Sequence, residues 1–199
     1  MGIIRLAEED KHDVLFDIFQ NSFLASPYME KYVLEALFVM GEAEYGLERM
    51  KKRYYSMVDV SPWTTLYENF GDGTDRSGYG TNNRAWSGGG LTILAQYVCG
   101  LEPIEPAWKT FKVKPQLGNL QYAETGNETV AGIVAVKVTK VKAGMDIELT
   151  VPERSEAAIY VPAKNKKVSI NGKKVSSKET DGEFVIFRVK GGVHKLNVR

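Results

Sequence analysis

The sequence predicts an α+β multidomain chain, with a helical region over residues 1–104 followed by an antiparallel β-sandwich over residues 105–199. Three observations carry that prediction. Apolar residues recur at helical spacing in the first half, short β-branched alternating runs fill the second, and a proline-rich connector, LEPIEPAW from Leu101 to Trp108, lies between them. Helices first and strands afterwards argue for two structural units and against β-α-β wiring.

The first helix is written in Val14, Leu15, Ile18, Phe19 and Phe23, a 3.6-residue period that stops before Ser26-Pro27. That dipeptide starts the second helix, with Ser26 as N-cap and Pro27 where a missing N–H costs nothing. The helix buries Val33, Leu34, Leu37 and Phe38, runs to about Met40 and stops at Gly41. A third helix from Glu42 through Tyr55 places Leu47, Met50 and Tyr54 on one side, and the short connection makes the pair an antiparallel hairpin. A fourth carries Leu91, Leu94, Ala95 and Val98 and closes at Gly100. Two prolines in the connector prevent its continuation. Strands are then expected at Trp108–Val113, Gly132–Lys140, Asp146–Val151, Ala157–Val161, Lys167–Ile170, Phe184–Val189 and Lys195–Val198. Asn171-Gly172 reads as a type I′ hairpin turn, which needs positive φ at both central positions.

Composition excludes several function classes. A formal charge of +1 over 199 residues gives no field suited to nucleic acid or an anionic membrane surface. The basic clusters Lys51-Lys52-Arg53 and Lys164, Lys166, Lys167 read as solvated faces. One cysteine, Cys99, excludes an internal disulfide, and its apolar neighbours make it a small packed hydrophobe. No run of about 18 apolar residues offers a membrane span. His12 and His194 lie in opposite halves, without the neighbours a triad or metal site requires. Neither a metal nor another cofactor is expected.

The chemistry concentrates in Ser61 to Gly90, SPWTTLYENFGDGTDRSGYGTNNRAWSGGG. Asp72 and Asp75 in GDGTD have carboxylates, but Asp-Gly more often marks a turn than a calcium loop. Gly88-Gly89-Gly90 lacks the strand, lysine and spacing of a phosphate loop, and reads as close packing at a helix start. Glu68 stands between aromatic residues. It reads either as a surface glutamate or as the carboxylate of a carbohydrate site, where rings cover apolar sugar faces and a carboxylate activates water.

Three segments carry a family resemblance: TTLYENF (Thr64 to Phe70), NRAWSGG (Asn83 to Gly89) and LAQYVCGLEPIEPAWKTFKVKPQLGNL (Leu94 to Leu120). Together they resemble the C-terminal portion of bacterial α-L-rhamnosidases, inverting glycoside hydrolases built on an (α/α)6 barrel, and Ser26 to Met50 resembles a late helical hairpin of that barrel. The resemblance implies that the helices are the last of the barrel and that a terminal sandwich follows. It further implies that Glu68 is the general base, that Trp86 stands in the cavity wall, and that Tyr67 occupies the family's usual Trp position. Where the family typically has a histidine contacting the sugar, this chain has Arg84, so either the sugar differs or the side chain is redirected.

The family's general acid and most sugar-binding residues precede anything that aligns with Met1. The resemblance therefore implies a C-terminal portion of a larger enzyme, inactive alone, with a rhamnosyl or related carbohydrate as its partner. Uncovered barrel faces would favour self-association. The competing readings are a carbohydrate-binding module formed by the sandwich, with Trp108, Tyr122 and Tyr160 as its aromatics, or a structural unit without catalysis.

Overall fold

A computed structural model of the protein describes residues 9–60, 63, 65–70, 80–163 and 167–199. Its contacts separate two compact units, Met1–Leu94 and Ala95–Arg199. The chain is α+β, as the sequence predicts.

In the first unit, a 3-10 turn at Glu9–Lys11 leads into α1 (His12–Asn21), followed by α2 (Pro27–Val39) and α3 (Ala43–Tyr55). The start of α2 is fixed locally, since Ser26 Oγ accepts from the Met29 N–H at 3.4 Å with Pro27 in the first turn. Gly41 ends the helix with φ +88°, a conformation a side chain would resist. Helices α2 and α3 then pack closely, with Gly46 admitting the Phe38 ring: a Cβ there would lie 3.1 Å from Phe38 Cε2.

The centre of this unit is ionic as well as apolar. Beside the buried Leu34, Ala36, Leu37 and Phe38 lie Glu30 and Arg49, almost wholly out of solvent. Arg49 Nε donates to Glu30 Oε1 at 2.5 Å and Nη2 to Oε2 at 3.1 Å. Arg53 Nε approaches Oε2 at 3.3 Å. Arg49 also donates to the carbonyls of Phe19 and Ser22, and Arg53 to that of Ala25, so the two guanidiniums tie the 19–25 segment to the hairpin. This corrects the expectation that the basic run ending at Arg53 is solvated. Helix periodicity turns Lys51 and Lys52 outward and Arg53 toward Glu30.

Helix α1 forms where its pattern predicts, yet none of its residues is buried, and Val14 and Ile18 are exposed. The fourth expected helix is a composite of a 3-10 turn at Ala85–Gly88, α4 (Gly89–Ile93) and a π-type turn at Leu94–Val98. A Cβ on Gly89 would meet Lys31 Cβ at 2.7 Å, so that glycine sits where α4 presses on α2. Among the described residues no helix is long and apolar enough to cross a membrane.

Among its described residues the second unit forms one mixed sheet of nine strands: β1 (Leu101–Pro103), β2 (Thr110–Val113), β3 (Tyr122–Thr129), β4 (Gly132–Val141), β5 (Gly144–Pro162), β6 (Val168–Ile170), β7 (Lys173–Val175), β8 (Thr180–Asp181) and β9 (Phe184–Val198). Two features depart from the expected antiparallel set. Strand β2 pairs with β5 in parallel, and the expected strands at 146–151 and 157–161 are one strand, as are those at 184–189 and 195–198.

The long β5–β9 pair is the spine. Its register shifts between Val151 and Glu156, where the β5 segment bulges over Gly191, whose Cβ would lie 2.5 Å from Glu153 Cα. Before the bulge β5 pairs with β4, and after it with β2. Side chains from both halves, including Phe111, Val136, Ile147, Leu149, Ile159, Phe187 and Leu196, build a single apolar core that also takes in Cys99. Strand β3 was not expected, because YAETGNET lacks an apolar alternation; it pairs with β4. The Asn171-Gly172 turn has φ +51° and +78°, as a type I′ hairpin requires.

Candidate active site

Residues Leu66–Phe70 and Gly80–Arg84 of the first unit are cross-bonded. Arg84 N donates to Leu66 O at 2.9 Å, Glu68 N donates to Thr81 O at 2.9 Å, and Thr65 Oγ1 donates to Asn82 O. The segment is fastened from below by Ser87, fully buried, whose Oγ donates to Tyr67 O at 2.6 Å. Tyr54 OH lies 3.1 Å from Ser87 O and 3.3 Å from Pro27 O. Burial, reinforced by the Glu30 charge, pushes the Tyr54 hydroxyl up to about 12, so it remains a donor at neutral pH. Phe70 completes the underside, edge-to-face with Tyr54 at 5.2 Å and beneath the Arg53 guanidinium at 3.9 Å.

This clamp sets where the four candidate residues point. Tyr67 turns inward and is only 3% exposed, beneath the surface and not on it. Glu68, next in sequence, turns the other way with its side chain 24% exposed. Its Oε2 accepts from Thr81 N at 2.9 Å and lies 3.3 Å from Arg84 Nε. Gly80 makes that seat possible: with φ +97°, it leaves open a position where a Cβ would come within 2.4 Å of the carboxylate oxygen. Arg84 is 41% exposed along its side chain, and its guanidinium covers the Trp86 ring at 4.8 Å. Trp86 is itself half-exposed and touches Tyr28, ring centroids 5.7 Å apart.

The structure therefore gathers Glu68, Arg84 and Trp86 on one surface and leaves Tyr67 under it. It adds Tyr28 and Tyr32, whose rings meet edge-to-face at 5.8 Å. Nothing local in sequence tied α2 to the loop. The one available signal was their spacing, since residues four apart share a helix face and an exposed Tyr-x-x-x-Tyr pair at the start of a helix presents both rings.

His194 binds the sheet turn, its Nε2 2.6 Å from Lys190 O and its Nδ1 3.4 Å from Asn171 Nδ2. Cys99 is buried, and burial with the Glu124 charge raises its thiol to about 11. No group of three or more His, Cys, Asp or Glu side chains suited to a metal occurs among the described residues. The GDGTD loop, Gly71 to Asp75, and the lysines Lys164 and Lys166 lie outside the described residues.

Comparison with known proteins bears on the whole chain. Residues 100–176 match the family described as bacterial alpha-L-rhamnosidase C-terminal domain. No match is found among curated proteins. Among solved structures, the α-L-rhamnosidase from Dictyoglumus thermophilum superposes with a TM-score of 0.79 at 20% identity, over 98% of this chain and 24% of that one. The Streptomyces avermitilis α-L-rhamnosidase, complexed with L-rhamnose, gives 0.72 at 18% identity over 94% and 19%. The Aspergillus terreus enzyme gives 0.69 at 21% identity over 94% and 21%. The chain thus spans a quarter or less of the length of these relatives and shares their fold over nearly all of its own. The motifs, the family match and the superpositions agree that this chain is similar to the C-terminal portion of α-L-rhamnosidases.

Proposed function

We propose that this chain is part of an inverting glycoside hydrolase acting on terminal α-L-rhamnosyl or related residues. In this reading Glu68 is the general base, and α1 to α4 are late helices of an (α/α)6 barrel. The sheet unit is the terminal sandwich, with the boundary near residue 104. One observation carries the catalytic part: Glu68 accepts from a backbone N–H and pairs with Arg84, whose guanidinium lies over the half-exposed Trp86, while the Glu68 side chain keeps partial access to solvent. A base that deprotonates water needs both a fixed position and access to that water.

Inversion requires a second carboxyl roughly 6.5–9.5 Å away to protonate the leaving group. In this reading it comes from outside these 199 residues, so the isolated chain does not turn over. The test is hydrolysis of an aryl α-L-rhamnoside by the protein encoded by the full genomic reading frame. Glu68→Gln is expected to lower kcat by at least about a thousandfold with little change in KM, as loss of a group acting in the transition state does. Unchanged turnover by that variant, or turnover by the 199 residues alone, overturns the reading.

The same reading makes the open apolar side chains of α1 a face for self-association. Val14 and Ile18 are exposed, and Leu24, just beyond the helix, is 95% exposed. Sedimentation of the 199-residue chain should show association that Val14→Glu with Ile18→Glu removes; a monomer at all concentrations refutes it.

A second reading, a carbohydrate-binding module, has one observation in its favour. The outer face of β3, β4, β5 and β9 carries an open groove of about 490 Å³ lined by Glu124, Lys137, Glu148, Thr150 and Val193 among others. Calorimetric titration with oligosaccharides would support it if Lys137→Ala abolished the heat and Trp86→Ala did not.

A further inference from the structure

Large aromatic side chains are normally spent on cores, yet Tyr28 and Trp86 are in contact and leave 45% and 46% of their area in solvent. They belong to a longer ledge. Tyr32 meets Tyr28 on one side, the two hydroxyls 3.4 Å apart. On the other side Arg84 lies over Trp86, with its Nε against Glu68. Three segments, the start of α2, the 66–70 stretch and residues 80–88, thus supply one surface of rings ending in a cation and a carboxylate.

Each part has a chemical use toward one class of ligand. Ring faces bind the apolar C–H face of a pyranose, and phenol hydroxyls bond its rim. Arg84 adds a different capability. Its Nε lies 3.3 Å from Glu68 Oε2 as an ion pair, and its terminal nitrogens form the fork that matches a carboxylate with two parallel hydrogen bonds. An imidazole or lysine in the same place would offer no such fork. Stacking on Trp86 holds the guanidinium plane in advance, so less conformational freedom is lost when a ligand arrives.

We propose that Tyr28, Trp86 and Arg84 form a saccharide subsite beside Glu68 that selects an acidic sugar, with the pyranose on the two rings and its carboxylate on Arg84. The proposal rests on the sugar-handling reading of the Glu68 surface and names its substrate class, a glycan with a uronic acid at this subsite.

The experiment is a nitrogen-15 NMR titration of the chain with a methyl uronoside and, separately, with methyl α-L-rhamnoside, following the Trp86 indole N–H. The uronoside is expected to bind about tenfold or more tighter at low salt, the effect of one charge-assisted bidentate contact. Arg84→Gln should erase that preference, and Tyr28→Ala should weaken both sugars. Equal affinity for the two glycosides, binding of neither, or Tyr28→Ala titrating like the wild type overturns the subsite. Tyr28 is an exposed side chain, and the circular dichroism of its variant shows directly that the fold is kept. Failure of the hydrolase reading is seen separately, as turnover that survives Glu68→Gln.

Discussion

The two units solve the problem of charge in opposite ways. In the sheet unit the buried side chains are almost all apolar and the ions pair outside the core. Arg188 bridges Glu156 at 2.9 Å and Glu179 at 2.6 Å, Arg199 reaches Asp146 at 2.7 Å, and Glu124–Lys137 and Glu148–Lys195 form rungs across the outer face. The helical unit places Glu30 and Arg49 at its centre and leaves Val14, Ile18, Leu24, Trp86 and Leu91 in solvent. In the helical unit a buried ion cluster helps fix how the helices meet, at the cost of two desolvated guanidiniums and a desolvated carboxylate.

The comparison breaks most visibly if each centre is removed in turn. Glu30→Ala leaves Arg49 and Arg53 buried without their anion and should cost the helical unit about 3–5 kcal/mol. Phe111→Ala, at a fully buried position of the sheet core, should cost that unit about 3–5 kcal/mol through lost contacts and a cavity. Native-state hydrogen exchange of α2 and α3 amides against β5 and β9 amides reads the two effects separately. A loss below about 1 kcal/mol for Glu30→Ala would mean that the ion cluster is a passenger of apolar packing.

High pH sharpens the contrast, since each unit buries a group whose ionisation is strongly opposed. Cys99 is raised from 9.0 to about 11 by burial, and Tyr54 from 10.0 to about 12 by burial and the Glu30 charge. A raised pKa means that the folded unit holds its proton where the unfolded chain has lost it, so stability is full below the unfolded value and declines as pH rises through the folded one. The sheet unit should therefore weaken between pH 9 and 11 and the helical unit between pH 10 and 12. Denaturation series across this range should show Cys99→Ala flattening the first decline and Tyr54→Phe the second. If either slope survives its substitution, another group carries it.

Features set by neighbouring residues were legible in the sequence: the Ser26-Pro27 start of α2, its stop at Gly41, the Asn171-Gly172 turn and the apolar packing of Cys99. Those set by distant pairing were not. Nothing in TFKV says that β2 runs parallel to β5, and the punctuation at Pro152 and at Gly191-Gly192 reads as strand ends although the sheet continues through it as a bulge. At the candidate site, Glu68 and Trp86 stood out as residue types in company. The inward turn of Tyr67, the Glu68–Arg84 pair and the arrival of Tyr28 follow from the cross-bonding of residues 66–70 with 80–84 and from the seat of α2. Arg53 was misplaced for the same reason, because its partner Glu30 lies on another helix.

The smallest effect provides the control. Gly41 in the helical unit and Gly172 in the sheet unit have nearly the same backbone, φ +88° and +78°, and a Cβ at either would meet nothing within 4 Å. Alanine at each position then adds no clash, and its cost is the left-handed backbone alone, roughly 1–2 kcal/mol in both units. Equal losses for Gly41→Ala and Gly172→Ala, measured by denaturation, would show that local turn chemistry is priced alike whatever core lies behind it. A loss at Gly41 several times that at Gly172 would tie the α2–α3 turn to the Glu30–Arg49 geometry, because the turn would then be adjusting the helices to the ion pair and not merely joining them.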